Sequence, residues 1–564
     1  MSAETDVLVF DMSSQSPGDP NIFVRRDFLS ILDNQNQSYS GNQSIIDTSQ
    51  IANSNKYINY RESFLSIPLL ITATGTGLTL NSDDPQTVCP DFAFGLKNWL
   101  GQIIHSITVD YNGTTIIQQT PYQSLYNCFR LITTLSYNDL LIQSSSIGFW
   151  KDNALTFTWE ATLGTQNNYN LGSVAGVLIG NSVSSYQAEV ANEGFVNRQL
   201  AFAYDPLNST YNTLLSKSNA TQSYKSLIFT NSISGNTLVW QQAIMGTIYL
   251  RHLHQFFDKV CLLKGVLLRI TLNLNQSSVS FTATQAVANN TSSVAFSNVV
   301  VTSPLGGVSP LMIANGAPYQ GSSNLPTGNY TLSLAVGKNC LNTQQAVITG
   351  VTTAPLSPSI TLNVPAYVFN PVFETSYLSS PVKKIVYTDI YQYQVPSIGA
   401  NNVYNQLITN GIANIKRVLI LPYFAQAGTS LNCSPIQSPF DTAGATTSPL
   451  CIQGNFQVQI SGQNMLYNQY QYTYNEWLQQ LYGCLSVNGG LTDGLSSGLI
   501  SQVDFETLYN YYVVDCSRML SVEELVPKSV QILGQNYSSQ AIQLYVFVEY
   551  GVEISLDILS GARV

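Results

Sequence analysis

His105, His252 and His254 are the whole imidazole complement of this 564-residue chain, which leaves zinc or triad chemistry little to work with. His252 and His254 flank Leu253, a spacing that puts both on one strand face, as metal ligands require, but no Cys or acidic cluster accompanies them in sequence. Satisfied structural histidines are the simpler reading. Gly494-Leu495-Ser496-Ser497-Gly498 matches the nucleophile-elbow pattern GxSxG, yet it follows Gly489 and Gly490 in a glycine-rich loop with no strand before it. A hydrolase of that order also needs a histidine after the serine, and none follows His254. Gly75-Thr76-Gly77 lacks the third glycine of a dinucleotide fingerprint. Among the 32 acidic residues, Glu523-Glu524 and Asp504/Glu506 come nearest to the paired carboxylates of glycoside hydrolysis, and a solvated face accounts for both. Sequence therefore names no catalytic residue, no cofactor and no metal ligand, and the expectation is a protein that is not an enzyme.

Composition points the same way. Only 10% of residues are charged, against about 25% in ordinary soluble domains, while 44% are apolar. A surface rich in Asn, Gln, Ser, Thr and Tyr but poor in ions suits burial against neighbours, because neutral polar groups cost far less to desolvate than ions. The net charge of −10, with no Lys/Arg-rich run, argues against a grip on nucleic acid phosphates. The first residues lack the basic and apolar regions of a signal peptide, and no segment has the roughly 18 apolar residues that span a bilayer. The protein is expected to stay on the cytosolic side. There the eight scattered cysteines, without a CxxC pair, read as buried free thiols.

The elements that must carry these residues are strands. From Phe64 onward strand signals recur every ten to twenty residues, the cadence of a sandwich or barrel. Leu65 to Ala73 is a nearly continuous apolar run, with Pro68 expected on an edge where its missing N–H is tolerable. Ile107 to Ile117 around Asn112-Gly113 reads as a hairpin with a type I′ turn. Further strands are expected at Thr156 to Glu160, Leu267 to Leu274, Ile385 to Val395, Arg417 to Leu421 and Phe456 to Ile460. The last strand alternates most cleanly. Its even residues from Val546 to Ile558 face a core, and Glu549, Glu553 and Asp557 point the other way. Helices are few: Thr120-Pro121 opens one to about Thr133, Asp91 is placed to cap Phe92 to Ile104 around Trp99, and Thr473 to cap Tyr474 to Tyr482 around Trp477, with Gly483 as the stop. The two tryptophan segments lie in corresponding places of two halves. At this length two all-β domains of roughly 200 to 250 residues are expected: an N-terminal arm over 1–58, in which Asn21 to Leu32 reads equally as an ordinary edge strand or short helix or as a clasp on a neighbour, a first jelly roll over 59–290 and a second over 291–564, with a Gly/Ser/Pro-rich seam near 282–321.

Three stretches resemble one family. They are Asn42 to Tyr57 running into Tyr60-Arg61-Glu62-Ser63, Tyr249-Leu250-Arg251-His252-Leu253-His254-Gln255-Phe256-Phe257-Asp258-Lys259 with Lys264-Gly265 and Arg269 to Asn273, and Tyr512 to Arg518 with Pro527-Lys528-Ser529-Val530-Gln531. In this order they resemble the double jelly-roll major capsid proteins of polinton-like viruses and, more distantly, of virophages. Residues 140–235, 283–380 and 425–455 carry no such resemblance; in this family such regions are tower loops. The resemblance implies an all-β fold of two tandem eight-stranded jelly rolls, a homotrimeric pseudo-hexagonal capsomer packed against neighbouring capsomers, and an icosahedral double-stranded DNA virus shell closed by a penton protein with minor capsid proteins. It also implies a place in the virion, assembled inside the host cell, with no direct sequence-specific nucleic acid binding. Physics agrees that two similar domains per chain in a threefold ring present six similar wedges. The rival reading is a secreted or surface β-sandwich that binds carbohydrate through its Tyr- and Asn-rich loops, although such a protein is expected to show a signal peptide and paired cysteines.

Overall fold

A computed structural model of the chain describes residues 21–76 except 37, 92–152 except 98, 238–286, 293–315 except 303–304 and 306–307, 328–337, 359–425, 436, 453–467, 472–486, 497–517 except 508, 525–557 except 539, and 562–563. It is all-β, with a few short helices. The first unit runs β1 (Phe23–Leu32), β2 (Gln43–Asp47), β3 (Tyr57–Ile58), β4 (Phe64–Thr76), β5 (Phe92–Leu96), β6 (Ile104–Tyr111), β7 (Thr114–Ile117), β8 (Leu238–Tyr249), β9 (Leu268–Leu274), β10 (Ser277–Ala286), β11 (Ser293–Thr302), β12 (Leu311–Asn315), β13 (Gly328–Val336) and β14 (Thr361–Phe369). The second runs β15 (Val382–Ile398), β16 (Val403–Ile412), β17 (Ile415–Phe424), β18 (Gln453–Ile460), β19 (Gln463–Asn464), β20 (Tyr512–Asp515), β21 (Lys528–Asn536) and β22 (Ile542–Asp557).

The pairings define two jelly rolls. In the second unit the sheets are β15-β22-β17-β20 and β16-β21-β18-β19. Counted along that unit, these orders are 1-8-3-6 and 2-7-4-5, the double Greek key of a jelly roll. Setting aside β3, β5 and β10 to β13, the first unit repeats the plan with β1-β14-β4-β8 facing β2-β9-β6-β7. Its additions extend one sheet. β14 pairs with β4 over Phe64–Ser66, and β13 takes over from Leu69 to Thr76, with β10 and β11 beyond it. Pro68 lies at this handover, so the strand is central rather than an edge, and the proline sits where the partner changes. The Asn112-Gly113 hairpin forms between β6 and β7, and both turn residues take positive φ, 46° and 84°.

Several sequence expectations change once partners distant along the chain are placed. Residues 23–47 are not an arm: β1 pairs with β14 from Arg25↔Val368 to Leu32↔Thr361, and β2 pairs with β9. The first unit does not end near 290, because β10, β11 and β13 belong to its sheet and β14 closes it at Phe369. A linker helix, Pro371–Leu378, capped by Asn370, leads to the second unit at Val382. No helix forms over 92–104; β5 pairs with β12, a 3-10 turn spans Leu100–Ile103, and the Trp99 backbone bridges to Phe149. The next helix spans Gln123–Thr134 with Tyr122 at its N-cap, while Thr120 turns its hydroxyl to the Ile390 carbonyl instead. Gly483 does not stop the helix Tyr474–Ser486. The strand expected at Thr156 to Glu160 lies outside the described residues.

Candidate functional site

The residues first weighed for chemistry do not converge. His105 packs edge-on against Tyr122, and burial pushes its pKa down to about 4. His252 lies against Tyr249, held down to about 3 by burial and by the nearby Arg251 charge. His254 accepts the Phe256 N–H on Nδ1 at 3.2 Å, which assigns its proton to Nε2, 3.2 Å from Asp389 Oδ1. Asp504 serves as a helix cap, its carboxylate accepting from the Ser501 N–H and hydroxyl at 3.0 and 2.7 Å. Glu506 accepts from Gln502 on the same helix. Among the described residues no group of three His, Cys, Asp or Glu side chains is placed to hold a metal. Cys128, Cys261 and Cys516 form no disulfide; Cys128 accepts from the Gln102 amide and Cys516 donates to the Val514 carbonyl. Glu523-Glu524 and residues 494–496 of the GxSxG match lie outside the described residues.

What the fold does bring together is the seam between the sandwiches. The helix Gln123–Thr134, between β7 and β8 of the first unit, lies on the outward face of β15-β22-β17-β20. Tyr122 meets Tyr545 edge-on at 4.8 Å between ring centroids, Tyr126 meets Phe547 at 5.8 Å, and Phe129 meets Tyr511 at 5.1 Å. Arg417 lays its guanidinium 5.5 Å from the centre of the Phe129 ring while gripping Glu549 bidentately, Nε to Oε2 at 3.0 Å and Nη2 to Oε1 at 2.8 Å. Glu549 is only 4% exposed. A buried carboxylate needs such a partner, because its desolvation is otherwise uncompensated. Burial and the Glu549 charge both push the Tyr126 phenol well above its usual range.

Hydrogen bonds rivet the rest of this seam. The Thr120 hydroxyl donates to the Ile390 carbonyl at 3.2 Å, and Tyr387 donates to the Ile116 carbonyl at 2.9 Å. His254 and Tyr550 converge on the two oxygens of Asp389. At the far end Leu499 N–H donates to the Ile132 carbonyl at 2.9 Å, satisfying a group the helix terminus leaves open. Gly498, at φ 61°, makes this possible: a Cβ there would stand 2.5 Å from the Ile132 and Thr133 carbonyl oxygens. Tyr509 accepts the Asp152 N–H at 3.1 Å and donates to its carbonyl at 3.2 Å, and Lys151 pairs with Asp504.

Sequence reading left Glu549 among the outward residues, since period 2 separates two faces and says nothing of what covers the second. Tyr545 and Phe547 on that same face were the available signal.

No protein-family model and no curated protein matches the chain. Solved structures with a similar chain path include the Sputnik virophage by cryo-EM, 10% identical over 98% of this chain and 90% of that chain, TM-score 0.49. The mavirus major capsid protein is 8% identical over 98% of this chain and 92% of its own, TM-score 0.45. The Faustovirus major capsid protein is 8% identical over 98% and 94%, TM-score 0.41.

Proposed function

We propose that the chain is a viral major capsid protein, a non-enzymatic tile that trimerises into a pseudo-hexagonal capsomer of an icosahedral double-stranded DNA virus shell. The observation that carries the reading is the seam: two sandwiches of one topology, joined through a buried interface of aromatic rings and hydrogen bonds. Two equivalent wedges per chain let three copies fill a six-sided position, and a cyclic ring hides lateral surface that a charge-poor protein exposes at a cost in solubility. Neighbouring capsomers, a penton protein at the fivefold vertices and minor capsid proteins are the partners this reading implies, with the genome neutralised by something else, given the −10 net charge. Native mass spectrometry tests it. A three-chain species is the expected result, and a chain that stays monomeric at every concentration while still folded overturns the reading.

A further inference from the structure

We infer that the seam between the two units is an acid-sensitive joint, shut while the histidines beside it are uncharged and opened by proton uptake with both sandwiches still folded. All three histidines of the chain stand by the helix Gln123–Thr134 or by β15, elements that meet there. On β6, His105 packs against Tyr122, whose ring meets Tyr545 of the second unit. Burial alone acts on it, and its Nδ1 has no hydrogen-bond partner among the described residues. His252 Nδ1 is likewise buried without a partner among those residues, and the ring feels Arg251, Arg130 and Asp258, two positive charges to one negative. Arg130 belongs to the seam helix and acts, with Arg417 and Glu549, on the Tyr126 phenol. His254 reaches the second unit directly. Asp389 Oδ1 lies 3.2 Å from its Nε2, the Tyr550 hydroxyl donates to the same carboxylate at 3.2 Å, and the Tyr387 ring stands edge-on at 5.8 Å with Arg563 acting on it. The joint lies within one chain, so it stands or falls apart from the assembly reading.

Burial holds the His105 pKa at about 4, and burial with the Arg251 charge holds His252 at about 3, both below the ordinary 6.5. Above pH 6.5 both rings are neutral whether the seam is shut or open, and the joint does not feel pH. Between pH 6.5 and 4 an open seam binds two protons that a shut one refuses, so the opening constant rises by up to about a hundredfold per pH unit. Below pH 4 His105 charges in both forms, and about tenfold per unit remains from His252. The seam is where this strain is released, because three ring pairs, an ion pair and a few hydrogen bonds hold it, whereas each sandwich is held by two full strand ladders. His254 plays the opposite part. A proton on its Nδ1 would face the Phe256 N–H that this atom now accepts, while Asp389 favours the added charge, so it fastens the joint and the other two sense acid.

Hydrogen exchange of the full chain, read by mass spectrometry with fragmentation and corrected for the intrinsic pH dependence of exchange, tests the joint. Two backbone amides cross the seam: Leu499 donates to the Ile132 carbonyl at 2.9 Å, and Thr388 donates to the Gln255 side-chain oxygen. Their protection is expected to fall at least tenfold between pH 7 and 4.5, while β9 and β21, each inside a four-stranded sheet, keep theirs. His105→Phe with His252→Phe is expected to match the parent at pH 7 and to lose the fall; His105→Gln with His252→Gln serves in its place if that pair does not fold. His254→Asn, which keeps a helix-capping side chain and drops the reach to Asp389, is expected to weaken seam protection at every pH with the parent's slope. Seam amides that stay protected down to pH 4.5, or that open together with β9 and β21, overturn the inference. So does a parent-like slope in the variant lacking both His105 and His252.

Discussion

Arg417 and Glu549 hold the largest electrostatic stake of the seam, because the pair is bidentate, little exposed and roofed by Phe129. Removing one partner strands the other, at a cost of about 3 to 5 kcal/mol, whereas replacing both by apolar residues of similar volume is often neutral. Glu549→Ala is therefore expected to lower the melting midpoint sharply, and Arg417→Met with Glu549→Leu to recover much of it; equal losses in single and double variants contradict the account. His105 contributes an acid-linked weakness. Its folded pKa of about 4 lies below the ordinary value of 6.5, so above pH 6.5 it is neutral in both states and costs nothing. As pH falls from 6.5 to 4 the unfolded chain takes up a proton that the folded chain refuses, and stability declines by about 3 kcal/mol before levelling off. Urea titrations of the parent and His105→Phe across this window are expected to diverge with falling pH, the parent losing more. On β22, Ile554 is 2% exposed, so Ile554→Asp buries an unpaired charge against a domain stability of about 5 to 15 kcal/mol. Glu553 pairs with Lys384 at the surface, both well exposed, and Glu553→Gln is expected to melt within a degree or two of the parent.

At the scale of elements, legibility follows how far away a partner lies. The Asn112-Gly113 hairpin and the alternation of the last strand are local patterns, and the structure shows the hairpin and, of the even residues expected inside, Val546, Val548, Ile554 and Leu556 buried, with Tyr550 and Val552 half-buried and Ile558 outside the described residues. β1 reads as readily as an edge strand as an arm, because its partner β14 lies more than 300 residues further on and its own residues alternate weakly, and the structure makes it the edge strand beside β14. Asp91 as a candidate N-cap suggested a helix around Trp99, while the distant β12 draws Phe92–Leu96 into a strand. Glu549 was placed outward because its cover, the helix Gln123–Thr134, comes from the other unit. Removal of residues 1–40 follows from this revision: it deletes β1 and the fully buried Tyr39, whose hydroxyl accepts the Ile360 N–H at 2.7 Å. The truncated chain is expected to misfold rather than to fold and fail only in assembly, as limited proteolysis beside the parent will show. Gly498→Ala acts at the other end of the seam. With positive φ and carbonyls 2.5 Å from any added carbon, it is expected to loosen the 497–500 loop from the helix and lower the melting midpoint, while Gly113→Ala, in open space, suffers the φ penalty alone.

For the whole molecule, charge and shape carry the argument together. A chain with one residue in ten charged covers part of its low-charge surface with itself, at the seam, while on the first unit's sheet Phe28 and Leu32 are exposed. Under the capsid reading, closure with further copies hides more of that surface, and shells are expected where capsomers meet edge to edge. Negative-stain electron microscopy of the purified full-length chain tests this most directly: the account predicts hexagonal-outlined trimers or closed shells, and fields of isolated, folded single chains at assembly concentrations contradict it.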